Sequence, residues 1–254
     1  MKLLLKFAGI LLLVAFVCSL FWNPEPFLFT LNDSETGYIL EKYYNNSSEA
    51  QSKVVIPDSY QGVPVVEIGS GAFVGNEDLT AVVIPEGVKA IGGNAFANCH
   101  HLTSITFPSS LREIKESAFS DCTALSKIVI PQAVNIGRSA FVGCGSLYMV
   151  SIGSDEDKAT FKVDYAAFER CSNLKTVTLG SGCVSIGELA FAQCVSLEDV
   201  YLPNSLNEID TCAFEHCESL SNIYFDGTTN EWLNVYFAPW WDKDTGYYQD
   251  HTNQ

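Results

Sequence analysis

Two short stretches bring together side chains that bind metals or act as nucleophiles: Cys99-His100-His101 and His216-Cys217. A zinc site needs about four ligands converging in tetrahedral geometry. Neither stretch supplies that number alone. Asp155-Glu156-Asp157 offers carboxylates to a hard cation such as calcium, yet the regular carboxylate and glycine spacing of a calcium loop is missing around it. The sequence holds no G-x-S-x-G, no phosphate-cradling glycine loop and no His-Glu-x-x-His. With no nucleophile beside a recognisable base, the expectation is no enzyme, no cofactor and no metal. The remaining reactive set is nine cysteines, a number that in an exported chain ordinarily signals disulfides.

Six of those cysteines fall at one place in a recurring unit. Ala-Phe pairs stand at 72/73, 95/96, 118/119, 140/141, 167/168, 190/191 and 213/214, spaced by 23, 23, 22, 27, 23 and 23 residues. A fixed period of this length marks a solenoid. Leu follows each Phe by six residues, a β-branched residue by nine, and Ile, Leu or Phe by eleven. The unit reads I-x-x-x-A-F-x-x-C-x-x-L-x-x-I-x-I-P. Its end alternates with period two, which predicts a short strand, and Pro85, Pro108, Pro131 and Pro203 close such strands. The Ile-Gly-x-x-Ala-Phe-x-x-Cys portion predicts a tight turn with a short 3₁₀ arc. The fold class is therefore an α/β-type repeat solenoid of about seven units of 22–27 residues, with short parallel strands, capped at both ends. A ladder of seven strands is on the order of 30 Å long.

In that arrangement Cys99, Cys122, Cys144, Cys171, Cys194 and Cys217, each three residues after its Phe, form an inward ladder of small apolar side chains. An inward direction disfavours the disulfide torsion, so the ladder is expected to be reduced. Asn76 takes the equivalent place in the first unit, while Cys183 and Cys212 lie off the ladder. The two Cys/His stretches lie five repeats apart, about 24 Å by strand spacing. They cannot share a metal.

Residues 1–22 are different in kind: Lys2 and Lys6 precede an apolar run from Phe7 to Trp22, as in a signal peptide or an N-terminal membrane anchor. The expected organisation is this leader, a spacer and N-terminal cap over 23–66, the repeat array over 67–226, and an aromatic C-terminal cap and tail over 227–254. Fourteen Lys and Arg against 30 Asp and Glu give a net charge of −16, which argues against nucleic acid as a partner. Contact with a membrane would run only through residues 1–22 if they are not cleaved.

The repeat resembles the BspA-like leucine-rich repeat family, over about residues 50 to 230. Val55-Ile56-Pro57-Asp58-Ser59-Tyr60 looks like the family's lead-in, and Ile223-Tyr224-Phe225-Asp226-Gly227 and the residues up to Trp232 like its exit. The resemblance implies surface or secreted proteins linked to adhesion, with no catalytic residues to carry over. The outward strand positions are then the candidate ligand site: Lys127, Met149, Thr176, Thr178, Asp199, Tyr201, Asn222 and Tyr224. The expected function is an exported, non-enzymatic, monomeric module at the cell surface or outside the cell that binds a protein or glycoprotein ligand in adhesion. The alternative is an accessory solenoid that binds envelope proteins of its own cell.

Overall fold

The computed structural model describes residues 26–44, 52–130, 132–153 and 159–238, and the backbone of 240–242 and 247–249. The leader, Pro131, Asp155-Glu156-Asp157 and the last residues lie outside the described residues, as do the side chains of Trp240, Trp241, Tyr247 and Tyr248.

The chain winds as a parallel β-solenoid, and the aromatic residue of each coil shows how it is held. Phe73, Phe96, Phe119, Phe141, Phe168, Phe191 and Phe214 stack in one column, with neighbouring ring centroids 4.8–5.4 Å apart and ring planes within 1–11° of parallel. Tyr43 adds an eighth ring, 5.1 Å from Phe73. The sequence pattern did not expose it, because Tyr43 lacks the Ala before it and the Cys after it. Six of the phenylalanines, Phe73 to Phe191, are fully buried, and burying such a ring is worth roughly 2–3 kcal/mol. The column is the spine of the core.

One wall carries the strands that the alternation predicts. They form a three-stranded sheet, Lys53–Val55, Ala81–Val83 and Ser104–Thr106, and a five-stranded sheet, Lys127–Ile130, Met149–Ile152, Thr176–Leu179, Asp199–Pro203 and Asn222–Asp226. The expected single ladder of seven strands is thus eight strands divided three and five. Register is as the repeat dictates: Val150 pairs with Val177, Val177 with Val200 and Val200 with Ile223.

A second wall is a parallel sheet running from Tyr38–Tyr43 through Val63–Ile68, Ala90–Ile91, Glu113–Ile114, Asn135–Ile136, Phe161–Val163, Cys183–Ile186 and Glu208–Ile209 to Tyr236–Phe237. Most of these strands offer one inward aliphatic residue, such as Ile91, Ile114 or Ile136. Two residues are too few to show alternation, so the sequence reads there as turn. Phe27–Leu31 pairs antiparallel with Tyr38–Tyr43 and closes the N-terminal edge.

The third side is built from turns. In each Phe-centred arc the residues two before and two after the Phe adopt positive φ, from Gly71 and Gly75 to Cys212 and His216. This alternation points successive amides in different directions. Gly71, Phe73 and Gly75 donate to Gly93, Ala95 and Ala97 of the next coil, while Ala72, Val74 and Asn76 close turns onto Gly69, Gly71 and Phe73. The backbone is thus bonded between coils on this side without a strand. Helix, which the α/β class implies, is reduced among the described residues to Thr229–Leu233, opened by a capping box between Thr228 and Glu231.

Candidate ligand-binding face

The column and the two sheets hold the first strand wall rigid, and its outward residues line up in two rows. Lys127, Met149, Thr176, Asp199 and Asn222 are register partners in one row, and Val129, Ser151, Thr178, Tyr201 and Tyr224 in the other. All eight candidate residues lie on this face. Lys127 and Asn222 are exposed, and Met149, Thr176, Thr178 and Asp199 half-buried. The face changes along its length. From Met149 to Thr178 its outward residues are Met149, Ser151, Thr176 and Thr178, without a ring among them. At the C-terminal end the rings of Tyr201 and Tyr224 stack 4.6 Å apart at 12°, and they remain 40% and 47% exposed. Beside them Asn222 Nδ2 donates to Asp199 Oδ1 at 2.9 Å. Partial desolvation, the Asp199 carboxylate and Tyr224 push the Tyr201 phenol above its ordinary pKa. Tyr201 is thus a neutral donor at physiological pH.

The reactive residues go elsewhere. Each ladder thiol donates to the carbonyl of the Phe one coil earlier: Cys99 to Phe73, Cys122 to Phe96, Cys144 to Phe119, Cys171 to Phe141, Cys194 to Phe168 and Cys217 to Phe191, at 3.1–3.3 Å. All eight described cysteines are thiols outside any disulfide. Burial pushes Cys99 up to about 11 and Cys144 and Cys217 up to about 12, so the nucleophilic thiolate is suppressed. The imidazoles turn outward: His100 Nδ1 lies 3.0 Å from the Asp121 carbonyl, and His101 Nε2 3.7 Å from Glu77. Cys99 and its neighbouring histidines therefore diverge. His216 likewise faces Glu215 at 3.9 Å while Cys217 points to the core. Among the described residues no group of three His, Cys, Asp or Glu side chains is placed to hold a metal ion, and no helix is long and apolar enough to cross a membrane.

Comparison with known proteins adds the lineage. The BspA type leucine rich repeat region matches residues 38–160 and 157–239, in six copies. The chain belongs to the BspA-type leucine-rich repeat family. Among solved structures, the BspA-type array is similar to a leucine-rich repeat protein of T. pallidum, with 30% identity, a TM-score of 0.66, and coverage of 78% of this chain and 89% of that one. A leucine-rich repeat protein of Eubacterium ventriosum shares the fold at 24% identity and a TM-score of 0.54, over 70% of this chain and 60% of its own. One from Bacteroides capillosus matches at 28% identity and a TM-score of 0.46, over 52% of this chain and 97% of its own. No curated protein matches the chain.

The sequence pattern placed the whole outward face but missed its sharpest feature. Ile223 occupies a core-type position, and yet it is 44% exposed where Val200, Val177, Val150 and Ile128 are fully buried. Among the described residues no later coil covers it. The signal available was positional, since Ile223 belongs to the last unit of the series.

Proposed function

We propose that this BspA-type solenoid is a non-enzymatic protein-binding module of the cell surface, serving adhesion, whose ligand seats on the outward strand face at its C-terminal end. The observation that carries the reading is the exposed, stacked Tyr201–Tyr224 pair beside the Asn222–Asp199 hydrogen bond. Tyrosines held by their neighbours give contact area at little entropic cost, and their hydroxyls add directional hydrogen bonds. Export through residues 1–22, which carry basic residues before an apolar run, supports the surface location.

The test is binding of the full chain to a panel of matrix proteins, mucins and glycans, beside a Tyr201→Ala/Tyr224→Ala variant. Saturable binding that weakens at least tenfold in the variant, about 1.4 kcal/mol, with an unchanged circular dichroism spectrum, is expected. Binding that the variant keeps in full refutes the site, and silence across the panel refutes the adhesive role.

A further inference from the structure

We propose that the strand Asn222–Asp226, at the open end of the strand-face sheet, takes up an extended basic peptide as one more parallel strand. This deepens the reading of the strand face as a protein-binding surface and rests on it.

Among the described residues the five-stranded sheet ends at this strand, whose one strand neighbour is Asp199–Pro203. Asn222 donates its amide back to Glu198 at 3.1 Å. Backbone groups alternate along a parallel strand. Those of Asn222, Tyr224 and Asp226 therefore face the earlier coil, and those of Ile223 and Phe225 face away from it. In earlier coils of this sheet the equivalent groups meet the next strand. The side chains agree with the backbone, because the apolar flank of Ile223 lies open beside this edge. The helix Thr229–Leu233 meets the strand at its C-terminal end, where Trp232 packs at 5.1 Å on Phe225 and at 5.3 Å on Phe237, and it leaves Ile223 44% exposed. The strands Trp240–Asp242 and Tyr247–Gln249 pair with each other, in a sheet of their own.

Exposed edges are normally blunted by lysine, proline or a bulge. The strand Asn222-Ile223-Tyr224-Phe225-Asp226 has neither residue, and its pairing runs five residues without a register shift. An unblunted edge of this kind takes up extended peptides by strand addition. Charge selects which peptide. From Thr176 to Asp242 the sequence has ten Asp and Glu and no Lys or Arg, so the last coils attract a cationic segment and repel an acidic one. The fitting partner carries an aliphatic residue over Ile223, a flat contact over Tyr224 and a lysine or arginine against Asp226.

The probe is the fluorescein-labelled pentapeptide Lys-Ile-Val-Ile-Lys, which copies the strand Lys127–Ile130 and ends in a second lysine, titrated into the full chain by anisotropy. Its central valine would donate to the Ile223 carbonyl, as Tyr224 does to the preceding strand. N-methylation of that valine is expected to weaken binding at least tenfold, while N-methylation of the isoleucine before it, whose amide faces away, leaves affinity within twofold. Ile223→Lys should also weaken binding tenfold without moving the thermal midpoint. Equal affinity of the two methylated peptides, no binding of the parent peptide, or self-association of the chain that Ile223→Lys abolishes would each overturn the proposal. Peptide binding that survives while the matrix and mucin panel stays silent leaves the edge standing and removes only the adhesive role.

Discussion

At the scale of the residue, the ladder cysteine serves two partners that a methyl or hydroxyl side chain cannot serve together. Its sulfur fills core volume beside the ring column, and its proton satisfies the Phe carbonyl one coil earlier. Removing Cys144 as Cys144→Ala loses both and should cost about 1–2 kcal/mol, measurable as a lowered urea midpoint at pH 7. Protonation makes the ladder pH-dependent in a definite sense. Burial holds the neutral thiol, with Cys144 raised from an ordinary 9 to about 12. The unfolded chain releases that proton first as pH rises. The stabilisation is therefore fully present below pH 9 and is lost between about 9 and 12, at about 1.4 kcal/mol per pH unit for each fully buried thiol. Urea midpoints should be flat from pH 7 to 8.5 and fall steeply above 9, and the fall should be shallower in Cys144→Ala. An equal slope in both proteins would show that this thiol does not drive the transition.

At the scale of the element, the Phe-centred arc depends on two left-handed residues per coil, and their identities explain what the sequence hides. Only Gly71, Gly75 and Gly143 are glycines in that set. Asn94, Ser117, Ala166, Leu189 and others occupy the same conformation, so no composition signal marks it. The strand wall was legible because inward Val, Ile or Leu alternate with outward residues that in most strands include a polar one. The second sheet was not legible at Ala90–Ile91, Glu113–Ile114, Asn135–Ile136, Glu208–Ile209 and Tyr236–Phe237, because two-residue strands leave no period to read. The candidate face was legible for the same reason as the strand wall, since register follows from the repeat. The stacking of Tyr201 on Tyr224 depends on that register alone. Left-handed geometry has a testable consequence at Gly71, where φ is +65° and a Cβ would meet only Val74 at an ordinary 3.7 Å. Gly71→Val should therefore destabilise through the backbone, by about 1–2 kcal/mol, while Gly71→Asn should be near neutral because Asn tolerates this region. Thermal denaturation of the pair measures the difference, and equal losses would point to side-chain crowding instead.

At the scale of the whole molecule, a solenoid has no single centre: each coil is stabilised by its two neighbours, so position in the array decides what a side chain is worth. Phe119 and Phe214 are chemically the same residue in the same repeat position. Phe119 lies between Phe96 and Phe141, each 5.0 Å away, and is fully buried. Phe214 stacks on Phe191 at 5.4 Å, closes the column and is partly exposed. Phe119→Ala removes a ring with neighbours on both faces and should cost about 3–5 kcal/mol. It also cuts the array into two blocks that communicate poorly, so the denaturation slope should fall or the transition split in two. Phe214→Ala leaves every earlier interface intact. Its cost should be at most half as large, with a single transition of unchanged slope. Urea titration of both variants, followed by circular dichroism and by tryptophan fluorescence, to which Trp232, Trp240 and Trp241 contribute from beyond the last repeat, separates the cases. With a split array, fluorescence and circular dichroism midpoints diverge in Phe119→Ala and coincide in Phe214→Ala. Coincidence in both would mean that the coils fold as one cooperative unit whose stability does not depend on place.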